Sequence, residues 1–321
     1  MSETLLEIRD LSIAFPAIGG EALGVSALNL EVQRGEAVAV VGESGCGKTL
    51  TALAPLALIP KPGRIVSGEV FYNGRAVSEL PGRELRRFRG REVAMVFQEP
   101  MTSLNPVFSV GYQLGEAVDP EGRVPRKVRD ERAIELLREV GVPDPERRLK
   151  VYPHQLSGGL RQRVMIAAAL AGEPSLLIAD EPTTALDVTV EAQIMELLEK
   201  IRRERGMALM LITHDLGVVA QYAERVVVMY GGMVVEEAPV AEIFNSPLHP
   251  YTEGLLASLP KRGRTLEPIP GNVPSLGNFP EGCPFRERCP REVSRCAQGV
   301  PDLSLRSENR KVRCVRVGED G

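Results

Sequence analysis

The stretch GESGCGKT, residues 42 to 49, decides the fold of this chain. It follows the apolar run 37 to 41 and opens a helix-compatible stretch, which is the strand, loop and helix context of a phosphate-binding loop. The glycines let backbone N–H groups turn inward around phosphates, Lys48 reaches the β and γ phosphates, and the Thr49 hydroxyl can bind Mg²⁺. A plain glycine turn is the alternative. The residues expected to hold the nucleotide are Gly42, Ser44, Gly45, Cys46, Gly47, Lys48 and Thr49.

Cys46 is a thiol inside this loop. Inward N–H groups and Lys48 favour the thiolate form. We therefore expect alkylation of Cys46 to block nucleotide binding and bound nucleotide to protect the thiol. The alternative is that cysteine is merely a small residue that fits the loop.

Composition and charge are those of an ordinary soluble globular protein. The 321 residues are 43% hydrophobic and 26% charged with a net charge of -4, which argues against nucleic acid as a partner. The length allows one large domain with an appendage or two domains. The acidic start MSETLLEIRD is unlike a signal peptide, and no apolar run approaches the ~20 residues that span a bilayer. We expect no export, and membrane association only through a partner.

Short apolar runs alternate with helical patterns along the chain. Apolar residues recur on one face over Asp130 to Val140 and over Thr189 to Arg205. Strands that alternate with helices predict a largely parallel α/β sheet. Gly231 and Gly232 predict a hairpin turn, and Pro55 should kink or shorten the helix after the phosphate loop. The predicted strands are residues 36–41, 93–97, 175–179, 207–213 and 226–230.

Two further motifs carry chemistry. SLLIADEP, residues 175 to 182, predicts a buried strand that ends in two carboxylates. Asp180 can hold Mg²⁺ through water, and Glu181 can orient or deprotonate an attacking water. A solvated acidic pair is the alternative for this motif alone. Upstream, LSGGLRQR spans residues 156 to 163.

The order of these motifs resembles that of the ABC transporter ATPases, which join a Walker loop, an LSGG signature and a Walker B strand. The resemblance covers roughly residues 3 to 258. It implies an α/β P-loop NTPase fold of ABC type, with a mostly parallel sheet core, an antiparallel β part and a helical signature subdomain at about residues 100–172. After Leu259 the sequence becomes rich in proline and glycine. We therefore expect one domain over residues 1–259, then a proline-rich linker and a small cysteine-rich domain over residues 260–321.

The resemblance also implies roles for single residues, with ATP and Mg²⁺ as ligands. Gln98 in VFQEP is similar to the Q-loop residue, His214 in LITHD to the histidine that senses the γ-phosphate, and Asp187 in TALD to the D-loop. Adenine is expected to stack on Phe15, for which core packing is the alternative. The expected catalytic residues are Glu181, His214, Lys48 and Gln98, and the expected Mg²⁺ ligands are Thr49, Gln98 and Asp180. His154 and His249 are expected to be structural.

The signature implies a partner ATPase. Ser157, Gly158 and Gly159 stand at the start of a helix, where N–H groups and the positive helix end form an anion site. In the family this site meets the γ-phosphate bound by the opposite subunit, so that a head-to-tail pair sandwiches two ATPs. Neither site would be complete in one chain.

Three segments resemble the peptide and nickel importer branch: EPMTSLNPVFSVGYQL after Gln98, SPLHPYTEGLLASLP at 246–260 and IPGNVPSL at 269–276. The predicted function is that of the ATPase subunit of an importer for dipeptides, oligopeptides or a related small solute. The implied partners are a homologous ATPase subunit forming a heterodimer, two permease subunits and an extracytoplasmic solute-binding protein. The chain would lie peripherally on the cytoplasmic face of the inner membrane.

Two rival functions follow from the same motifs. An ABC-type ATPase can serve a nucleic-acid or translation process, but such proteins usually carry coiled-coil insertions or two ATPase domains, and this sequence has neither. A homologue that only binds ATP is disfavoured by the presence of both Glu181 and His214.

Four of the five cysteines form a C-x5-C-x6-C-x17-C set near the end of the chain. A tail of about sixty residues needs a staple, and the reducing cytosol argues against disulfides. Four thiolates suggest zinc or an iron–sulfur cluster, and the wide spacings suit the larger group. A similar tail recurs in peptide-importer ATPases that carry [4Fe-4S], which favours that cluster over zinc or no metal. The four are Cys283, Cys289, Cys296 and Cys314.

Overall fold

The protein divides into two compact units, seen in a computed structural model that describes residues 3–17, 19–98, 103–184, 186–259 and 268–317. The unit that contains the phosphate loop consists of Glu3–Gln33, Ala37–Glu79 and Leu211–Gly321, and is called the phosphate-loop unit below. The unit that contains the LSGG motif consists of Arg34–Glu36 and Leu80–Met210, and is called the signature unit.

The strands of the described residues are β1 (Thr4–Ala17), β2 (Gly20–Gln33), β3 (Ala37–Val41), β4 (Arg64–Tyr72), β5 (Arg75–Ala76), β6 (Val93–Val96), β7 (Leu176–Asp180), β8 (Ala208–Ile212), β9 (Arg225–Tyr230), β10 (Met233–Pro239), β11 (Ser304–Ser307) and β12 (Arg310–Val312). The α-helices are α1 (Lys48–Leu53), α2 (Gly82–Arg91), α3 (Val110–Val118), α4 (Arg126–Glu139), α5 (Pro145–Arg148), α6 (Gly158–Leu170), α7 (Val188–Arg205), α8 (Leu216–Tyr222), α9 (Val240–Asn245) and α10 (Pro250–Ala257). All five predicted strands and both predicted amphipathic helices are present, with ends shifted by a few residues at most.

The phosphate-loop unit is built on β-structure. One antiparallel sheet has the order β2-β1-β4-β5, and a second set of strands has the order β11-β12-β10-β9-β3. β3 pairs in parallel with β9, and β10 runs antiparallel to β9. Every residue of β3 is buried, as expected for an all-apolar strand covered on both faces. The strand before the phosphate loop is therefore part of the buried core.

The predicted hairpin at Gly231 and Gly232 is confirmed, since these residues connect β9 to β10. β10 also pairs with β12 near the C-terminus, where Glu236 stands opposite Val312. The described C-terminal residues thus extend the same set of strands that carries the phosphate loop. The expected effect of Pro55 is also confirmed, because α1 ends at Leu53 and a 3₁₀ turn covers Ala54–Leu56.

The signature unit holds helices and short parallel strands. β6 and β7 pair in parallel, from Val93 opposite Leu176 to Val96 opposite Ala179. Residues 208–210 of β8 lie on the other side of β7, so that the strand order is β8-β7-β6. α3 to α6 lie between β6 and β7 in the chain. In the portions of the chain described above, no helix has the length and apolar character needed to cross a bilayer.

Candidate functional site

The phosphate loop leaves β3 at Gly42 and enters α1 at Lys48. Gly42 has a φ of 153°, and a Cβ there would stand 2.3 Å from the carbonyl oxygen of Met229. Gly47 has a φ of 100°, and a Cβ there would stand 2.7 Å from the carbonyl oxygen of Gly24. Neither position admits a side chain without backbone movement. The glycine spacing is thus required by the packing of this loop as well as by its turn toward phosphate.

Lys48 is buried and lies across the loop. Its Nζ donates to the carbonyl oxygens of Gly42 at 2.7 Å and Glu43 at 3.0 Å. These contacts hold one positive charge inside the curve of the loop, at the amino end of α1. An ammonium group held in this position is suited to a phosphate chain.

The surroundings of Cys46 differ from those expected for a reactive thiolate. Its side chain is fully buried, and burial raises the pKa of its thiol more than the neighbouring Lys48 lowers it. The sulfur lies 3.9 Å from Lys48 Nζ and packs closely against Gly42. The burial of Cys46 favours the neutral thiol over the expected thiolate, because loss of solvent outweighs one nearby cation, while the effect of alkylation stays a prediction. Cys46 fills space within the loop.

Two anchors of the loop were missed by sequence reasoning. The backbone N–H of Glu43 donates to the Tyr251 hydroxyl at 2.8 Å, and the Glu43 carboxylate forms an ion pair with Arg288 at 2.7 Å. The partners are 208 and 245 residues away in the chain, so no local pattern points to them. Burial raises the pKa of Tyr251, which keeps the hydroxyl protonated in this contact.

The carboxylate pair ends β7 as predicted. Asp180 is the buried last residue of the strand, and Glu181 follows with a φ of 45° in the left-handed region. That conformation costs a glutamate about 1 kcal/mol or more and is concentrated at functional sites. Glu181 Oε2 accepts from Gln98 Nε2 at 2.9 Å and from Thr184 Oγ1 at 2.8 Å. The structure thus brings the predicted Gln98 and Glu181 together and adds Thr184, which the sequence did not single out.

The LSGG motif begins α6. Ser157 caps the helix, with its hydroxyl accepting from the backbone N–H of Leu160 at 3.4 Å. Ser157 and Gly158 are exposed, whereas a Cβ on Gly159 would lie 2.8 Å from Val190 of α7. Asp187 caps α7 in the same way through Val190 N at 3.0 Å. An exposed helix start of this kind is open to an anion carried by another molecule.

The three histidines differ in surroundings. His214 follows β8 and is exposed, and His154 is exposed and stacks on Tyr152. His249 is buried at the start of α10, where its Nδ1 accepts from Tyr251 N at 3.1 Å. Burial lowers the pKa of His249 to about 3, so this ring is neutral and structural. His249 therefore fits the packing role predicted for it.

Phe15 lies at the end of β1 and is half-buried. Its ring packs on two glycines. A Cβ added to Gly63 would lie 2.5 Å from the ring, and a Cβ added to Gly24 would lie 3.2 Å from it. One part of the ring thus packs against the chain. Stacking on adenine stays a prediction for this residue.

The four C-terminal cysteines line a single pocket, together with His249 and Phe285. Burial and then the three neighbouring thiols raise the pKa of Cys283 to about 11. Burial also raises the pKa of Cys289. All five cysteines are thiols and none forms a disulfide. Over the residues that the structure describes, no three His, Cys, Asp or Glu side chains are arranged to hold a metal ion.

The predicted residues divide between the units. Phe15, the phosphate loop, His214 and the four cysteines belong to the phosphate-loop unit. Gln98, the signature, Asp180, Glu181 and Asp187 belong to the signature unit. Each unit thus contains a different part of the expected ATPase machinery.

Comparison with known proteins extends over nearly the whole chain. The family model described as ABC transporter matches residues 25–184, and that of the oligopeptide/dipeptide transporter C-terminal region matches residues 235–296. A probable peptide ABC transporter ATP-binding protein of Sinorhizobium fredii is 50% identical over 99% of this chain and 96% of its own length. The dipeptide transport ATP-binding protein of Escherichia coli is 46% identical over 97% of this chain and 96% of its own length.

Solved structures agree on the fold. A dimeric ATP-binding cassette in a post-hydrolysis state, bound to ADP and phosphate, has a TM-score of 0.66 at 28% identity and covers 74% of this chain and 99% of its own. A Clostridium perfringens protein that is part of an ABC transporter complex has a TM-score of 0.64 at 27% identity. The match covers 76% of this chain and 92% of that protein.

Proposed function

We propose that this chain, which belongs to the ABC transporter ATP-binding proteins, is the ATPase subunit of an importer for dipeptides or oligopeptides. The observation that carries the proposal is the 45% to 50% identity, over 97% to 99% of the chain, to ATP-binding proteins of peptide and dipeptide transport. The matched C-terminal region at residues 235–296 is described for the same class of transporter. None of these relatives is described as acting on nucleic acid, so the comparisons do not support the alternative function in a nucleic-acid or translation process.

The residues present suit Mg-ATP hydrolysis. Lys48 and the inward N–H groups would bind the phosphates, and the oxygens of Thr49, Gln98 and Asp180 are of the kind that Mg²⁺ prefers. When bound, Mg²⁺ would neutralise phosphate charge. Glu181, held by Gln98 and Thr184, would accept a proton from the attacking water.

The active form would be a head-to-tail pair of ATPase subunits. The exposed start of α6 at Ser157 and Gly158 supports this, since it presents N–H groups to an anion outside the chain. One solved relative is itself dimeric. His214 would sense the γ-phosphate, Asp187 would lie at the subunit interface, and Phe15 would stack on adenine. The second subunit would be a homologue, giving a heterodimer.

The permease would bind the segment after Gln98. Three apolar side chains there are exposed: Val107, Phe108 and Tyr112, at 70%, 40% and 50% of their surface. The Phe108 and Tyr112 rings stack with centroids 4.6 Å apart. Exposed aromatic clusters of this kind mark protein contacts. Residues 99–102 of the segment lie outside the described residues. The chain would thus be peripheral on the cytoplasmic face of the inner membrane, with two permeases and an extracytoplasmic solute-binding protein as partners.

The four-cysteine pocket would hold a [4Fe-4S] cluster. Four thiols share one pocket, as a sulfur-ligated group requires, and the positive charge of bound iron would offset the cost of forming a thiolate at the buried Cys283. The cluster would staple the C-terminal region. Anaerobically purified protein should be brown with about four irons per chain, and Cys289→Ser should lose the iron. Colourless anaerobic protein with one zinc per chain would favour zinc instead.

Peptide uptake in living cells tests the function. A strain that lacks this chain should lose ATP-dependent uptake of labelled dipeptides or oligopeptides, and the wild-type chain should restore it. The Glu181→Gln chain should be made in equal amount and fail to restore uptake. Unchanged peptide uptake in the deletion strain, with a defect in translation or DNA repair, would support the rival function.

A further inference from the structure

The phosphate loop is held from the C-terminal region through Glu43, the residue after Gly42. The Glu43 carboxylate accepts from both terminal nitrogens of Arg288, at 2.7 Å from Nη1 to Oε2 and 3.0 Å from Nη2 to Oε1. A bidentate pair of this kind fixes both position and orientation of the carboxylate. Arg288 directly precedes Cys289, one of the four pocket cysteines.

Arg288 is itself built into place. Its side chain is 5% exposed, its Nε donates to the carbonyl oxygen of Pro270 at 2.9 Å, and its Nη1 donates to the Tyr230 hydroxyl at 3.4 Å. The Tyr230 and Phe285 rings lie 5.8 Å and 6.0 Å from its guanidinium carbon. A buried arginine with this many partners is different in kind from a surface ion pair.

The charge of Glu43 is unfavourable for the ligand of the loop. Several negative charges arrive with ATP, and a bare carboxylate one residue after Gly42 would repel them. The Glu43 carbonyl oxygen also accepts from Lys48 Nζ at 3.0 Å, so a displaced Glu43 would disturb the lysine that binds phosphate. Arg288 opposes both effects, since it neutralises the carboxylate and holds the residue still.

We propose that Arg288 is a positioning residue for nucleotide binding, which acts by neutralising and orienting Glu43 in the phosphate loop. The inference rests on the proposed ATPase function. It makes the affinity of the loop depend on a C-terminal residue outside every nucleotide-binding motif of the sequence.

The test measures Mg-ATP binding and steady-state hydrolysis with full-length variants. Arg288→Ala should weaken Mg-ATP binding about tenfold and raise KM, with kcat at saturating ATP near that of wild type. Arg291→Ala is the matched control, because Arg291 forms a bidentate pair with Glu253 at 2.9 and 2.7 Å in the same region but outside the loop. The control should leave both Kd and KM unchanged.

A second substitution separates charge from packing. Glu43→Gln in the Arg288→Ala background should restore Mg-ATP affinity to within about twofold of wild type, because the unpaired charge is gone. Loss of packing alone at Arg288 would not be rescued in this way. Should Arg288→Ala fail to fold, Arg288→Met carries the test, because it keeps an apolar stem and removes the charge; its Kd should rise about tenfold and again be rescued by Glu43→Gln.

Two results would overturn the inference and leave the proposed function intact. Equal Mg-ATP affinity of wild type, Arg288→Ala and Arg291→Ala would show that the pair has no bearing on the loop. A weakened affinity that Glu43→Gln does not rescue would show that Arg288 acts by packing. A wild-type chain that binds no Mg-ATP would contradict the proposed ATPase function, and this inference with it. If the wild-type chain binds Mg-ATP normally, the variants test the role of Arg288 alone.

Discussion

The phosphate loop and the Glu181 segment hold their functional groups in opposite ways. In the loop, Lys48 and Cys46 are buried, and anchors 208 and 245 residues away fix Glu43. Glu181 lies at a strand end in a strained backbone conformation, and the side chains of Gln98 and Thr184 donate to its carboxylate. Packing and distant anchors hold the loop, whereas Glu181 is positioned by the turn after β7 and by two side-chain donors.

This difference matches two kinds of chemistry. Phosphate binding is a ground-state interaction, which a packed loop with a fixed positive charge performs well. Proton transfer from water needs a carboxylate within hydrogen-bond reach of that water in the transition state, and a strained turn can fix the carboxylate in such a position. Binding and hydrolysis should therefore be separable by mutation.

Replacement of Glu181 should have the largest effect. Glu181→Gln keeps an acceptor for Gln98 and Thr184 but removes the base, so kcat should fall by about 10²- to 10⁴-fold with Mg-ATP affinity unchanged. Glu173→Gln is the control, since Glu173 also has a positive φ, of 56°, and makes an exposed ion pair with Arg132. Single-turnover hydrolysis and equilibrium binding measure the two effects. Wild-type kcat in Glu181→Gln would remove Glu181 as the base.

Replacement of Lys48 should mainly weaken Mg-ATP binding. Lys48→Ala removes a charge-assisted contact to phosphate, worth about 1.5–3 kcal/mol, and the two contacts inside the loop. Mg-ATP affinity should fall by about 100-fold in calorimetric titration. Lys200→Ala, which breaks an exposed pair with Glu204 at 3.8 Å, should leave affinity unchanged. Wild-type affinity of a folded Lys48→Ala protein would refute the role of the ammonium group.

The strain at Glu181 should be measurable as stability. Because Ala resists the left-handed region and Gly does not, Glu181→Gly should be more stable than Glu181→Ala by about 1 kcal/mol in urea unfolding. The same pair at the exposed helical residue Glu196 should show the opposite order by a similar amount. If the Ala variant were more stable than the Gly variant at position 181 as well as at position 196, the backbone at Glu181 would be unstrained.

The smallest effect is expected at Cys46. Cys46→Ala should leave Mg-ATP affinity within about twofold of wild type, because the buried thiol serves packing rather than charge. Folded protein should also resist iodoacetamide at Cys46 near pH 7, since burial raises the pKa of the thiol and excludes the reagent. Peptide mapping by mass spectrometry measures the modification. Rapid modification that bound ATP prevents would reinstate a reactive thiolate.

Sequence patterns predicted much of the fold and part of the site. The predicted strand runs at 36–41 and 175–179 and the glycine spacing of the loop are local features, and both strands appear within one residue of the predicted ends. The roles of Gln98 and Glu181 were predicted from family motifs, whereas their hydrogen bond was found only in the structure. The anchors Tyr251 and Arg288 did not, because each contact joins segments more than 200 residues apart.

The sequence by itself determined the phosphate loop, the carboxylate-ended strand and the family, because these depend on residues that are neighbours in the chain. Only the tertiary structure decided that Cys46 is a buried neutral thiol, that Glu181 is strained, and that a C-terminal arginine pairs with Glu43. The physical reason is that protonation, backbone strain and ion pairing depend on which distant groups exclude water or bring charge.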